Sequence, residues 1–229
     1  MAEKYTYLLL MIFTLSGPLI FSFDKRVGFF KKWKFLVLPF TSTALYFIVW
    51  DSWFTKRGIW SFNNNYVLDF RLLLLPLEEW LFFFFVPYAC LYIYEVANYY
   101  IKRDVLKKYA YSINLTILMV VSATGILNIN KAYTAFNFIS AAVLLAVIQF
   151  IIKPKWLGRF YVGYFISLIP FLIVNGILTY LPVVSYNNQE NLGIRIFTIP
   201  IEDTIYCLLL LLMNTTLYEW LKRKGENIA

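Results

Sequence analysis

Cutting the chain at its charged residues leaves seven apolar blocks, about 5–23, 35–50, 72–94, 109–130, 132–152, 160–181 and 196–218. A helix rising about 1.5 Å per residue needs roughly 17 to 25 mostly apolar positions to cross a hydrocarbon core about 30 Å thick, and these blocks have that length or come near it. The pattern therefore predicts an all-α, polytopic membrane helix bundle of about seven spans. The second block is short, and the sixth runs into a polar loop. The first block lacks the short apolar core and small-residue cleavage site of a removable leader, so it reads as a retained span.

Composition agrees with that reading. The chain is 61% hydrophobic and 15% charged over 229 residues, whereas a soluble domain carries about 25% charged residues to coat its surface. The net charge of +8 would suggest nucleic acid in a soluble protein, but here the cations lie between apolar blocks, so no nucleic-acid partner is expected. Fifteen of the 21 Lys and Arg residues follow blocks one, three, five and seven, for example Lys31, Lys32, Lys102, Lys107, Lys153 and Lys222. Lys4, Lys56, Arg57, Arg71, Lys131 and Arg195 belong to the other face. With seven crossings, the positive-inside rule places the amino terminus outside and the carboxyl terminus in the cytoplasm, in a bacterial or archaeal cytoplasmic membrane. There is no His, which removes Ser-His-Asp and HExxH chemistry, and Cys90 and Cys207 sit inside apolar runs, so neither a disulfide framework nor a metal site is indicated.

An offset of 124 residues brings two halves into register. Pro76-Leu77-Glu78-Glu79 falls on Pro200-Ile201-Glu202-Asp203, Arg71 on Arg195, Tyr94-Glu95 on Tyr218-Glu219, Ser61 on Ser185, Asn63-Asn64 on Asn187-Asn188, and Asp51 on Asn175. Each half then holds three spans, 1–101 and 131–229, with 102–130 as a connector span. The halves point the same way because four crossings separate spans three and seven, which makes them parallel repeats about an axis along the membrane normal.

Acids near a span centre cost about 2.5 to 3.5 kcal/mol each when they face lipid, so the two acidic pairs should face the bundle interior. A plain reading is available: Pro at a helix start with two acids complementing its positive end. Against it, Leu72 to Leu75 and Ile196 to Ile199 are apolar lead-ins that put the acids seven or eight helical residues below Arg71 and Arg195, roughly 10 Å into the core. Acids grouped in a dry site can differ in ionisation, one donating a proton and another accepting it. Arg71 and Arg195 lie one heptad before Glu78 and Glu202, so each guanidinium can share a helix face with its acid, or can simply anchor at the head groups. Trp50, Trp53, Trp60 and Trp80 offer π faces to a substrate cation, although interfacial belts and lipid-facing filler use the same rings. Asn63, Asn64, Asn187 and Asn188 suit outer turns and caps or contact with the pocket, and Glu95 and Glu219 suit ion pairs at the opposite ends of spans three and seven.

At these residues the chain resembles the membrane-integral, non-flavin lycopene cyclases. The resemblance rests on Trp50-Asp51, Gly58-Ile59-Trp60-Ser61-Phe62-Asn63, Pro76-Leu77-Glu78-Glu79-Trp80, Val86-Pro87 and Tyr94-Glu95 in the first half, and on Pro200-Ile201-Glu202-Asp203 in the second. It implies redox-neutral, proton-initiated cyclisation of the linear ψ ends of lycopene or a related carotenoid. The site it implies has Glu78 and Glu202 handling the proton and Glu79 and Asp203 setting their ionisation. Trp80, Trp50, Trp60, Asn63 and Asn187 would meet substrate, with Arg71, Arg195 and Asp51 in support. It also implies a carotenoid partner within the bilayer, membrane lipids around the chain, and other carotenoid-pathway enzymes nearby. No cofactor or metal is expected, since no GxGxxG or phosphate loop is present. Two other classes fit the same acids: a proton-coupled transporter with paired intramembrane carboxyls, and a membrane subunit without activity of its own.

Overall fold

The computed structural model describes residues 2–226. Its helices are α1 (Thr6–Phe21), α2 (Val37–Lys56), α3 (Leu77–Tyr100), α4 (Ala110–Leu127), α5 (Ala132–Ala146), α6 (Leu157–Tyr180) and α7 (Glu202–Glu226). A single 3-10 turn, Ala2–Tyr5, precedes α1, and a 3-10 segment, Phe29–Phe35, meets α2 at a 61° bend. The π-helical stretch Val147–Ile152 prolongs α5 until Lys153 takes a left-handed conformation and stops it. Among the described residues, six helices are long and apolar enough to cross a membrane, and the bent pair before and within α2 makes a seventh.

Spans three and seven depart from the sequence expectation. The apolar lead-ins are not helical: Arg71–Leu72 (β2) and Leu75–Pro76 (β3) form a two-stranded hairpin, and Arg195–Ile196 (β5) with Ile199–Pro200 (β6) form its repeat. Leu73, Leu74 and Phe197 take positive φ at the tips, a region that L side chains rarely adopt, and Phe197 is 96% exposed. Each Pro closes its hairpin, and the acids stand in the first helical turn, not two turns below it. A fixed φ and a missing N–H suit Pro to the position just ahead of a helix.

The arginines follow the hairpins and do not share a helix face with Glu78 or Glu202. Arg71 Nη1 donates to the Leu74 carbonyl at 3.2 Å and Nη2 to Asn64 Oδ1 at 2.5 Å. Arg195 repeats both bonds, to the Thr198 carbonyl at 3.2 Å and to Asn188. Each guanidinium thus ties the hairpin to the loop before it.

A third ribbon joins the halves. Trp60–Phe62 (β1) pairs antiparallel with Val184–Tyr186 (β4), and Ser61 lies opposite Ser185. These two serines are repeat equivalents, so the pseudo-twofold axis passes between them. The Asn63 N–H bonds to the Val183 carbonyl at 3.0 Å and the Asn187 N–H to the Ile59 carbonyl at 2.8 Å, the same bond on either side of the axis.

Helices α3 and α7 are the most buried spans, and their far ends are locked across the axis. Tyr94 donates to Glu219 Oε1 at 2.9 Å, and Tyr218 donates to Glu95 Oε1 at 2.7 Å. Lys222 reaches Glu95 at 3.0 Å, and Lys32 pairs with its other oxygen. Nearby, Gly163 of α6 sits where an added Cβ would lie 3.1 Å from the Tyr94 ring. That absent side chain lets α6 approach α3.

Glu95 is buried, and removing it strands the Tyr218 hydroxyl and takes from Lys32 and Lys222 the carboxylate they share. Glu95→Ala is expected to lose about 2 to 3 kcal/mol of stability, somewhat below a fully buried pair because both lysines keep some water. Glu219→Ala, whose lysine contact is 3.5 Å, should lose less. Thermal unfolding in detergent measures both.

Candidate active site

The helix starts of α3 and α7 bring two consecutive acids each to the end of the bundle away from the lysine-rich loops. Neighbouring helical positions point about 100° apart, so the acids of a pair cannot face the same way. Glu79 and Asp203 turn inward to a narrow cavity of about 40 Å³ between the halves. Glu78 and Glu202 turn back to the loops. Glu78 Oε1 accepts the Leu68 N–H at 2.8 Å, and Glu202 Oε1 accepts the Leu192 N–H at 2.7 Å and the Thr134 hydroxyl at 2.6 Å. The acids expected to handle the proton do not line the cavity, whereas their expected helpers do.

Each inward acid is held by a tyrosine from the first helix of its half. Tyr7 of α1 donates to Glu79 Oε2 at 2.6 Å, and Tyr133 of α5 donates to Asp203 Oδ1 at 2.5 Å. A hydroxyl buried with a carboxyl satisfies both groups where water is scarce. All four side chains are buried.

Beyond that shared frame the halves differ. Asp51 of α2 lies within hydrogen-bonding reach of Glu79, and two carboxyls in that relation need a proton on one of them. Tyr206 donates to both Asp51 oxygens at 3.2 Å. The repeat equivalent of Asp51 is Asn175 of α6, whose amide donates to Asp203 Oδ2 at 2.9 Å, and Tyr186 donates to the same oxygen at 2.9 Å. Three donors therefore converge on Asp203, while on the other side two carboxyls face each other. The Arg195 guanidinium sits 5.6 Å from the Tyr186 ring centre.

Apolar and aromatic groups complete the walls: Trp60 and Phe62 from β1, Phe82 from α3, Phe171 and Leu178 from α6. Of the rings singled out in the sequence, Trp60 borders the cavity. Trp50 stands one layer behind, with its centroid 5.1 Å from Tyr206 and 4.7 Å from Phe136. Trp80 faces the first hairpin and donates its indole N–H to the Leu72 carbonyl at 3.1 Å. Asn63 and Asn187 cap turns, accepting the N–H of Asn65 and Gln189 at 3.0 Å, and neither reaches the cavity.

Sequence reasoning missed the four tyrosines that hold the carboxyls. Tyr7 and Tyr133 are 126 residues apart, so a strict offset of 124 sets Tyr7 against Lys131 and hides the pair. Tyr186 and Tyr206 fall on Phe62 and Phe82, and the repeat therefore presents them as ordinary aromatics.

Two stretches of the chain, residues 4–97 and 130–221, match the model of one protein family, described as lycopene cyclase. No curated protein and no solved structure matches the chain.

Proposed function

The chain belongs to the lycopene cyclase family, and on that premise we propose that the cavity closes the acyclic end of lycopene or a related carotenoid into a ring by proton transfer alone. The proton shared by Glu79 and Asp51 adds to the terminal carbon–carbon double bond and leaves a tertiary cation. The next double bond attacks that cation, forming the new ring bond and moving the positive charge onto a ring carbon. Asp203 takes a proton from a neighbouring carbon, which restores a double bond. One proton enters and one leaves, so the step needs no oxidant or reductant.

The observation that carries the assignment is the exchange of Asp51 for Asn175 at repeat-equivalent positions beside the inward acids. A second carboxyl beside Glu79 supplies an acid. An amide and two phenols around Asp203 supply donors that suit an anion accepting a proton. The rings of Trp60 and Phe82 stand where a transient cation would be exposed, and a π face stabilises such a charge in a dry site. An alkene is a weak base, so a fixed and poorly hydrated acid favours the transfer.

The cavity end carries the cation-poor loops, so the positive-inside rule supports an orientation with this end outside and the carboxyl terminus in the cytoplasm.

In a host that accumulates lycopene, the wild-type chain is expected to yield ring-containing carotenoid, separable from lycopene by chromatography. Glu79→Gln and Asp203→Asn should each lower ring formation at least about 10²-fold, the lower end of what a positioned acid or base contributes, with the protein still inserted. Lycopene left unchanged by well-inserted wild-type protein would overturn the reading, and proton flux into vesicles would favour transport instead.

Glu202→Gln keeps a carbonyl for the Leu192 N–H and Thr134, and should retain ring formation. Glu202→Ala strands those donors and should cost about 1 to 3 kcal/mol, read as faster proteolysis of the loop before α7. A loss in Glu202→Gln as severe as in Glu79→Gln would move the proton chemistry to the loop-facing acid.

A further inference from the structure

The carboxyl cavity is far too small for a long polyene, so the rest of the substrate must lie elsewhere. A second hollow of about 350 Å³ opens between α1, α3 and α6. Its floor, formed by Val86, Ala89, Cys90 and Val174, is buried, while its rim at Phe13 and Ile173 is exposed. On each of the three helices this cleft lies further along the bundle than the cavity, and on α6 the two linings meet. On α1 it runs from Phe13 to Pro18 beyond Tyr7. On α3 it extends to Ile93, which is about 21 Å of helix beyond Glu79, and on α6 it begins at Val174, beside Asn175. Phe171 borders both hollows and stands between them.

The repeat offers a control within the same chain. The counterpart of Phe171 is Phe47, fully buried and stacked on Trp50 at 5.3 Å and on Phe83 at 5.7 Å. Tyr46, the counterpart of Pro170, is bonded to Ser140 of α5 at 3.0 Å. On the second side Phe47 and Trp50 are packed into the core at the positions where Phe171 and Val174 border the cleft on the first.

We propose that the α1–α3–α6 cleft holds the polyene tail of the carotenoid while its acyclic end occupies the carboxyl cavity, with the Phe171 ring as the partition that swings aside to join them. The proposal rests on the cyclase reading and adds the route from the bilayer. A long, dry, laterally open cleft fits a linear isoprenoid, and the wall it shares with the cavity at Phe171 favours a ligand that reaches the acids over one confined to the surface. Entering through this cleft, the substrate reaches the acids with one end at a time. A carotenoid with two acyclic ends must then leave and turn around before its second end can react.

Gly17 provides the test, since a Cβ there meets nothing within 4 Å and a larger side chain projects into the cleft. The purified chain in lipid nanodiscs is supplied with lycopene, and two signals are followed: ring formation, and the visible circular dichroism that an achiral polyene acquires in a chiral site. Gly17→Trp is expected to lower ring formation at least ten-fold and to abolish the induced dichroism, whereas Gly17→Ala and the lipid-facing control Val143→Trp on α5 keep both. Ser16→Trp fills the same cleft from the next residue and serves if Gly17→Trp fails to insert. Wild-type levels of both signals in the filled variants would overturn the proposal and leave the cleft to lipid acyl chains. Dichroism that is present in wild type and lost in Gly17→Trp, with no ring product from either protein, would sustain the cleft and defeat the cyclase reading.

Discussion

A carboxyl group carried into hydrocarbon has to find its hydrogen-bonding partners within the protein, and in this chain tyrosine supplies them. Tyr7 and Tyr133 hold the inward acids at one end of α3 and α7, and Tyr94 and Tyr218 hold Glu219 and Glu95 at the other. The two central helices are therefore fixed at both ends by the same kind of bond. At the lysine-rich end the bonds cross from one half to the other, which sets how the halves meet. At the cavity end the Tyr7–Glu79 and Tyr133–Asp203 bonds stay within a half, while Tyr206 reaches across to Asp51.

Duplication built the frame, and a few substitutions within it made the site directional. Proline-closed hairpins, arginine–asparagine ties and loop-facing glutamates recur in both halves, each glutamate accepting the equivalent backbone N–H of Leu68 or Leu192. The differences lie where chemistry is asymmetric: an acid in α2 against an amide in α6, and phenylalanine in β1 and α3 against tyrosine in β4 and α7. A perfectly twofold cavity would carry identical groups on both sides, and these substitutions remove that identity.

Much of this was legible in the sequence. Block lengths gave the helices, and the 124-residue offset gave the repeat and both acidic motifs, because burial and duplication leave periodic marks. The hairpins were not legible, since Leu73-Leu74 and Phe197 stand where tight turns usually carry Asn or Gly. Their apolar character, which suits exposure to lipid, reads as more helix. Nor was it legible which acid of each pair turns inward. Two adjacent helical residues differ only in direction, and the direction here is settled by Leu68 and Leu192, backbone donors ten residues upstream. Trp80 and Trp50 were drawn toward the site by proximity in sequence, whereas one ring serves a hairpin and the other backs a tyrosine.

The paired serines on the axis carry a further meaning. Ser61 and Ser185 lie at the centre of a ribbon whose strands come one from each half, and the same backbone geometry would let either half pair with a copy of itself. Two first halves so joined would crowd four carboxyls, from duplicate Asp51 and Glu79, around one hollow with no amide among them. Two second halves would bring duplicate Asn175 beside duplicate Asp203, with no counterpart of Asp51. The covalent link through α4 removes both self-associations, so the tether fixes a one-to-one stoichiometry that the interface alone does not encode.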